Sequence, residues 1–278
     1  MIDATIAEWK LLTDLLEERF GLNFTGARQE LLEGRLRPRL EALHLDSLRA
    51  YYHFLRAHPA REEEFTELSR RLTNNETYFF RESVHFDAIV QRIVPELGAE
   101  LRTRPLRLLS AACSSGEEPY SLAIRLTDAG LELSGIHWEI DACDLSPARL
   151  QAAREASYDG MSFRATDDAT RERCFRPLNG KWQLKERYRK GVRLFHANLA
   201  VPDCGAGWGH YDVVLCRNML IYFSDQAFDR LIGRFAQLVR PGGYLFLGHA
   251  ESLFDRSSEF ESISFPETMA YRRCGSIA

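Results

Sequence analysis

Apolar side chains recur at helical spacing through the first quarter of the chain. The first stretch carries Ile6, Trp9, Leu12, Leu15, Leu16 and Phe20 on one stripe and has Gly21 as a plausible stop. The second carries Leu31, Leu32, Leu36, Leu40 and Leu43, and Pro38 within it predicts a kink or a break. Two more stretches, near residues 47–57 and 60–72, show the same spacing. The pattern predicts a small helical domain over residues 1–72.

From Leu106 onward, short apolar runs alternate with helical stretches. The runs are LRLLSAAC, HWEIDACD, VRLFHA, YDVVLC and YLFLGHA, and the intervening helices include one capped by Ser146-Pro147 and one from Ser224 to Leu238 that stops before Pro241. This alternation predicts a doubly wound, mostly parallel sheet over residues 73–278. The tail FESISFPETMAYRRC predicts an antiparallel edge hairpin, and a polar insert at about residues 158–190 predicts a small β-subdomain.

Composition narrows the class of protein. The 278 residues are 45% hydrophobic and 27% charged, which is ordinary for a globular chain and excludes a disordered one. A net charge of −4 argues against binding nucleic acid through bulk positive charge. No run reaches the about 18 apolar residues of a membrane span, and the N-terminus lacks signal-peptide features, so we expect a soluble cytoplasmic protein without membrane insertion. The six cysteines are widely spaced, which indicates reduced thiols and no metal site.

Candidate chemistry lies in the loops that follow the predicted strands, because ligands of doubly wound sheets bind at the carboxyl ends of the strands. After the first strand, small residues lead to Gly116, Glu117 and Glu118. Two carboxylates there suit an ammonium or sulfonium cation, and the explanation that they favour a helix N-terminus is equally open. Asp144 ends the second strand and is better explained as a ribose acceptor than as a helix charge, because Ser146 already fills the cap.

Two further strand ends and the linker carry polar groups. Asn198 with Leu199, and Arg217 with Asn218, follow later strands. An Asn amide can pair with an adenine edge and a leucine can cover its face, although such amides more often cap loops. The linker at residues 72–82 combines amides, a hydroxyl, aromatics and Arg81, where an ordinary linker is rich in Pro, Gly and Ser. A capped helix start with core aromatics is an equally good explanation.

Taken together, these motifs resemble the CheR family of chemotaxis-receptor glutamate methyltransferases. The matching stretches are NNETYFFRE, LLSAACSSGEEPYSLA, ACDLSPARLQAARE, CRNMLIYF and RPGGYLFLGHAESL, in the order and spacing of the family. The resemblance covers nearly the whole chain. It implies an all-α N-terminal domain followed by a Rossmann-like α/β domain that uses S-adenosylmethionine (AdoMet), with a small inserted β-subdomain.

The resemblance also implies a set of site residues and no metal. The cofactor-binding positions are Asn75, Thr77, Arg81, Glu117, Asp144, Asn198, Leu199, Arg217 and Asn218. Between Glu117 and Glu118 the first is preferred because it is nearer Gly116. Tyr222 aligns with a family tyrosine beside the transferred methyl group and is expected to position the reactants.

The implied function is transfer of a methyl group from AdoMet to glutamate side chains of chemoreceptors, giving methyl esters and S-adenosylhomocysteine (AdoHcy). A glutamate with a pKa of ~4.3 is already ionised, so no general base is needed. The alternatives are a catalytically silent AdoMet-binding sensor or scaffold in a signalling complex, and a methyltransferase with another acceptor.

The resemblance further implies how the partner is met. The N-terminal domain is expected to approach the acidic methylation region of the receptor helices through Arg28, Arg35 and Arg39. Some family members bind a C-terminal receptor pentapeptide on the inserted β-subdomain, but here residues 175–182 form a shorter turn with only Gly180. We therefore expect no binding of this tether, and we expect a monomer.

Overall fold

The structure is a computed structural model that describes residues 2, 4–26, 28–72 and 76–275. The chain divides into two compact units. The helical unit comprises Met1–Asn74, Asn198–Cys204 and Tyr222–Leu231, and the sheet unit comprises Asn75–Ala197, Gly205–Ile221 and Ile232–Ala278. Two segments from the later part of the chain thus group with the helices, and the domain bounds drawn from the sequence stay a prediction. Within the described ranges, no helix combines the length and apolar character needed to cross a bilayer.

The helical unit contains α1 (Ile6–Phe20), α2 (Arg28–Ala42), α3 (Leu48–Ala57) and α4 (Arg61–Leu72). Thr5 and Glu8 form a capping box at the start of α1, and Gly21, with φ of 73°, ends it where the sequence predicts a stop. Pro38 lies inside α2 without dividing it, so the predicted break does not occur. The apolar stripes are narrower than predicted, because Ile6 is 90% exposed and Leu31 is 53% exposed.

The sheet unit is built on one large sheet. The strands, in chain order, are β1 (Leu106–Ala111), β2 (Trp138–Asp144), β3 (Ser157–Tyr158), β4 (Phe175–Leu178), β5 (Lys181–Leu184), β6 (Val192–His196), β7 (Tyr211–Cys216), β8 (Val239–Leu247), β9 (Phe260–Phe265) and β10 (Thr268–Arg273). In the described part of the chain the large sheet has the order β6-β2-β1-β7-β8-β10-β9. The first five of these strands run parallel, and β10 pairs antiparallel with both β8 and β9. The predicted parallel sheet with an antiparallel edge hairpin is confirmed.

The remaining helices are α5 (Val84–Ala88), α6 (Val94–Glu96), α7 (Glu117–Asp128), α8 (Pro147–Glu155), α9 (Asp168–Cys174) and α10 (Asp225–Leu238), with a π-helical turn at Ile89–Ile93. The core of the sheet unit includes buried leucines of β1 and α7. One boundary differs from expectation: β8 begins at Val239, before Pro241. The register shifts between Tyr211 and Val213 of β7, because Pro241 lacks an N–H group and Gly242 adopts φ of 78°.

The predicted insert is confirmed as a small β-subdomain, in which β3, β5 and β4 form an antiparallel sheet. Asn179 and Gly180 connect β4 to β5, with φ values of 50° and 75°, as a two-residue hairpin turn requires. Phe79 from the linker packs into this subdomain, with ring centroids 4.8 Å from Tyr158 and 4.9 Å from Phe175. The aromatic residues of the linker thus belong partly to the core.

Candidate active site

The loop after β1 makes a tight turn at the carboxyl edge of the sheet. Ala112, Ser114 and Gly116 have φ values of 63°, 49° and 92°, all in the left-handed region. A Cβ on Gly116 would lie 2.9 Å from Cε2 of Tyr120, so glycine is required both by conformation and by space. Two non-glycine residues in this conformation indicate backbone strain of the kind that clusters at ligand sites.

Asp144, at the end of β2, lies beside this loop. Its carboxylate accepts hydrogen bonds from the N–H of Ser114 and the N–H of Ser146, both at 2.8 Å. The side chain is buried, and burial raises the pKa of Asp144. The Ser114 hydroxyl is also buried and has no hydrogen-bond partner among the described residues. The Asp144 carboxylate and the Ser114 hydroxyl are therefore neighbours at the position where the sequence predicts a ribose-binding site.

Of the two acids at the start of α7, Glu117 is buried and Glu118 is half-buried, and each has its own partners. The carboxylate of Glu117 accepts hydrogen bonds from Ser115 at 2.8 Å and from Ser162 at 3.0 Å. Glu118 accepts from Ser110 at 2.6 Å and from Arg217 at 3.1 Å. Burial raises the pKa of both carboxyls. Glu118 is ion-paired with Arg217, whereas Glu117 accepts hydrogen bonds from serine hydroxyls, so Glu117 is the better candidate for a ligand cation.

Arg217 belongs to a buried ionic cluster that the sequence analysis missed. Its side chain is 2% exposed, lies 3.2 Å from Oε2 of Glu82 and donates a hydrogen bond to the carbonyl oxygen of Arg81. Glu82 also contacts Nδ1 of His85 at 3.8 Å and Nδ1 of His249 at 3.1 Å. Burial, and then Arg217, lower the pKa of His85 to about 4. Two nitrogens of the Arg217 guanidinium are thus engaged by the protein, while its buried Nε has no hydrogen-bond partner among the described residues, and the implied cofactor contact of this side chain stays a prediction.

The linker adopts no helix at residues 76–83, so the interpretation of a capped helix start is wrong there. Thr77 and Arg81 are partly buried, and Arg81 donates a hydrogen bond to the carbonyl of Glu76 at 3.0 Å. Asn75, the remaining linker position, lies outside the described residues. The linker backbone is therefore extended or in turns until α5 begins at Val84. Through the carbonyl of Arg81 it contacts Arg217.

Asn218 follows β7 and adopts φ of 58°. Its N–H donates a hydrogen bond at 2.9 Å to Glu251, a buried residue in the loop after β8. The site-residue prediction missed Glu251 because its partners Asn218 and Ile221 lie 33 and 30 positions earlier in the chain. A cavity of about 530 Å³ on the sheet unit is lined in part by Glu82, His85, His249 and Glu251.

The other predicted site residues belong to the helical unit. The Asn198 amide donates a hydrogen bond to the carbonyl of Arg19 at 2.7 Å and accepts one from the N–H of Ala200 at 3.0 Å. This is the loop-capping behaviour typical of such amides. Leu199 is buried, and the carbonyl of Tyr222 accepts a hydrogen bond from the N–H of Asn23 at 2.8 Å.

The arginines of α2 differ from one another. Arg39 pairs with the buried carboxylate of Glu64, to which Tyr51 also donates, and its side chain is only 16% exposed. The receptor-facing role implied for Arg39 stays a prediction, although this side chain is already paired with Glu64. Arg35 donates a hydrogen bond to the carbonyl of Leu72 at 2.7 Å and remains partly exposed, and Arg28 is exposed. Burial lowers the pKa of Arg35, and the nearby Tyr222 opposes that shift.

The site can bind a cation and a polyol but offers no cluster for a metal: within the described residues, no three His, Cys, Asp or Glu side chains converge as metal ligands. Of the predicted site residues, Thr77, Arg81, Glu117, Asp144, Arg217 and Asn218 belong to the sheet unit. Asn198, Leu199 and Tyr222 belong to the helical unit.

Comparison with known proteins identifies similar domains and relatives. Residues 75–269 match the SAM-binding domain of CheR methyltransferases, and residues 7–73 match their all-alpha domain. Chemotaxis protein methyltransferase 2 of Vibrio cholerae is 33% identical over 93% of this chain and 90% of its own length. Chemotaxis protein methyltransferase 1 of Pseudomonas aeruginosa is 32% identical over 98% of this chain and 99% of its own length. The probable biofilm formation methyltransferase WspC of Pseudomonas aeruginosa is 34% identical over 93% of this chain, which spans 60% of that relative.

Proposed function

Because the chain belongs to the CheR methyltransferase family, we propose that it methylates glutamate side chains of chemoreceptors, producing glutamate methyl esters and AdoHcy. It is an AdoMet-dependent methyltransferase with a Rossmann-like sheet and an all-α N-terminal domain. The names of its relatives, chemotaxis protein methyltransferases, support the receptor as acceptor.

The observation that carries the proposal is the buried Asp144 carboxylate, held by two backbone N–H groups beside the unpartnered Ser114 hydroxyl. These groups fit the ribose hydroxyls of AdoMet, because each carboxylate oxygen can accept a second hydrogen bond. We assign the cofactor to Asn75, Thr77, Arg81, Glu117, Asp144, Asn198, Leu199, Arg217 and Asn218. Arg217 contributes by holding the backbone of Arg81.

The chemistry asks little of the protein beyond alignment. AdoMet supplies an electrophilic methyl carbon on a positively charged sulfur. An oxygen lone pair of the glutamate carboxylate forms the new C–O bond, while the electron pair of the breaking S–C bond passes to sulfur. Because the acceptor is already ionised at neutral pH, Tyr222 serves to position the reactants rather than to move a proton.

The acceptor side of the site is proposed to include Arg28 and Arg35 on α2. Arg35 is partly exposed and is close enough to Tyr222 for the tyrosine to influence its pKa. Since Tyr222 is assigned to the methyl group, an acidic receptor segment that meets Arg35 brings its glutamates near the reaction. Arg39 supports this surface through its ion pair with Glu64.

The decisive experiment incubates the protein with methyl-labelled AdoMet and chemoreceptor cytoplasmic domains, and then treats the product with base. Base-labile label on receptor glutamates is the expected result. Binding of AdoMet without any transfer would favour the silent sensor or scaffold, and base-stable label would indicate another acceptor.

Charge reversal tests the acceptor surface. Arg35→Glu is expected to raise the KM for receptor by roughly tenfold, the equivalent of about 1.4 kcal/mol, while the Kd for AdoHcy stays unchanged. Arg37→Glu is the matched control, because Arg37 is 52% exposed on the same helix and pairs with Glu33. Equal effects of both variants would show that total charge, rather than position, governs the encounter.

We also propose that the inserted β-subdomain does not bind the receptor pentapeptide. The two-residue turn at Asn179 and Gly180 closes the β4–β5 hairpin directly, which leaves little loop to receive an added strand. Titration of the free pentapeptide should give no measurable heat, and micromolar binding would contradict the proposal.

A further inference from the structure

A single carboxylate connects the loops that follow β7 and β8. Oε2 of Glu251 accepts hydrogen bonds from the N–H of Asn218 at 2.9 Å and from the N–H of Gly248 at 2.7 Å. Oε1 accepts a third from the N–H of Ile221 at 3.2 Å. Two of these donors belong to the loop after β7 and one to the end of β8, so Glu251 fixes the separation of neighbouring strand ends.

The backbone around Glu251 is shaped for this contact. Asn218 adopts a left-handed conformation, with φ of 58°, that turns its N–H toward the carboxylate. A Cβ on Gly248 would lie 2.6 Å from Nδ2 of Asn218 and 2.9 Å from Oε2 of Glu251. Glycine at 248 therefore permits a close approach of three groups that no larger residue allows.

The electrostatics of Glu251 are those of a buried anion held by dipoles. The residue is 8% exposed, and none of the described arginines or lysines forms an ion pair with it. Hydrogen bonds from N–H groups to a charged acceptor are stronger than those between neutral groups, so the loop geometry depends on the charge. Replacing the carboxylate by an amide would place a donor opposite at least one N–H.

We infer that Glu251 is a positioning residue for cofactor binding, which acts by holding Asn218 in place. The inference rests on the proposed assignment of Asn218 to the cofactor site. Gly248 and Glu251 lie in the matching stretch RPGGYLFLGHAESL, but the predicted set of site residues includes neither of them. Because Glu251 acts through Asn218, its loss should weaken cofactor affinity without removing any cofactor contact of its own.

The test measures AdoHcy binding by calorimetry and unfolding by denaturant for the full chain and its variants. Glu251→Gln is expected to raise the Kd for AdoHcy by about tenfold, and Glu251→Ala by more, because the alanine removes every acceptor. Asp212→Asn is the matched control: Asp212 is equally buried in the same unit but lies near the amino end of β7. It should lose stability and keep the AdoHcy affinity of the unmodified protein.

Gly248→Ala provides a second variant in which the carboxylate is intact. Its added methyl group must displace Asn218, so the Kd for AdoHcy should rise by a similar factor. Unchanged affinity in Glu251→Gln, or an equal loss in Asp212→Asn, would overturn the inference. AdoHcy binding does not involve the acceptor, so failure of the receptor proposal would appear separately, as binding without transfer to receptor.

Discussion

Buried carboxylates at the two ends of the large sheet have different partners. Asp212, near the amino end of β7, lies 2.8 Å from Nη2 of Arg104 and 3.4 Å from Nε of Arg240 and accepts the N–H of Arg107 at 2.9 Å. Asp144, at the carboxyl end of β2, is held only by the N–H groups of two serines. Asp212 is neutralised by two arginines and has a structural role. The other, Asp144, is the acid that we assign to a ligand.

The carboxyl edge alone does not decide this difference. Glu118 lies at the same edge as Glu117, yet Arg217 and Ser110 occupy its oxygens. Glu251, like Asp144, is held by backbone N–H groups. Asp212 and Glu118 are paired with arginines, whereas Asp144 and Glu251 are held by backbone N–H groups; we assign Asp144 to the ligand and Glu251 to the support of Asn218.

The largest expected effect concerns Asp212. Asp212→Ala should lower the free energy of unfolding by about 3 kcal/mol, because it leaves two arginines without their shared acid. The value is at the low end for a broken buried pair, since the side chains of Arg104 and Arg240 are 22% and 34% exposed. Urea denaturation measures the loss. AdoHcy affinity that fell as strongly as stability would contradict the assignment of Asp212 to structure.

In contrast to Asp212→Ala, Asp144→Ala should weaken ligand binding more than it lowers stability. We expect AdoMet affinity to fall by about 1–3 kcal/mol, because the ribose hydroxyls lose a charged acceptor. The loss of stability should be smaller than for Asp212→Ala, since no arginine or lysine in the described part of the chain forms an ion pair with Asp144. Calorimetry with AdoMet and with AdoHcy gives the two affinities, and unchanged values would remove Asp144 from the site.

The sequence predicted those features that depend on local pattern. The stripes of α1 and α2, the cap at Ser146 and the strands ending in Asp144 and Cys216 follow from spacing and turn chemistry. The Asn218–Glu251 contact joins residues 33 positions apart and leaves no such pattern. Arg39 and Arg35 occupy similar positions on α2, and only the packing of Glu64 from α4 distinguishes them.

The Arg217 cluster allows a test by pH. The pKa of His85 is about 4 in the folded protein against 6.5 ordinarily, so the unfolded chain binds more protons between these values. Stability should therefore fall as pH drops from 6.5 toward 4. His85→Phe keeps a ring against Phe246, 5.2 Å away between centroids, and removes this dependence.

Between pH 7 and pH 5 we expect the unmodified protein to lose about 1–2 kcal/mol more than His85→Phe, because the unfolded chain protonates this histidine in that range and the folded chain does not. Denaturant unfolding at both pH values provides the measurement. Equal losses would show that Arg217 and Glu82, rather than His85, set the response of the cluster to acid.

The smallest expected effects concern the hydroxyl groups of Ser114 and Ser110. The Ser114 hydroxyl is buried without a partner, whereas the Ser110 hydroxyl donates to Glu118 at 2.6 Å. Ser114→Ala should therefore raise stability by about 0.5–1 kcal/mol, because an unsatisfied polar group is removed, and should weaken AdoHcy binding by a similar amount. Ser110→Ala should lower stability by about 1 kcal/mol and leave binding unchanged. If both variants lost stability alike, the hydroxyl of Ser114 would have a partner in the protein, and the cofactor would gain nothing from it.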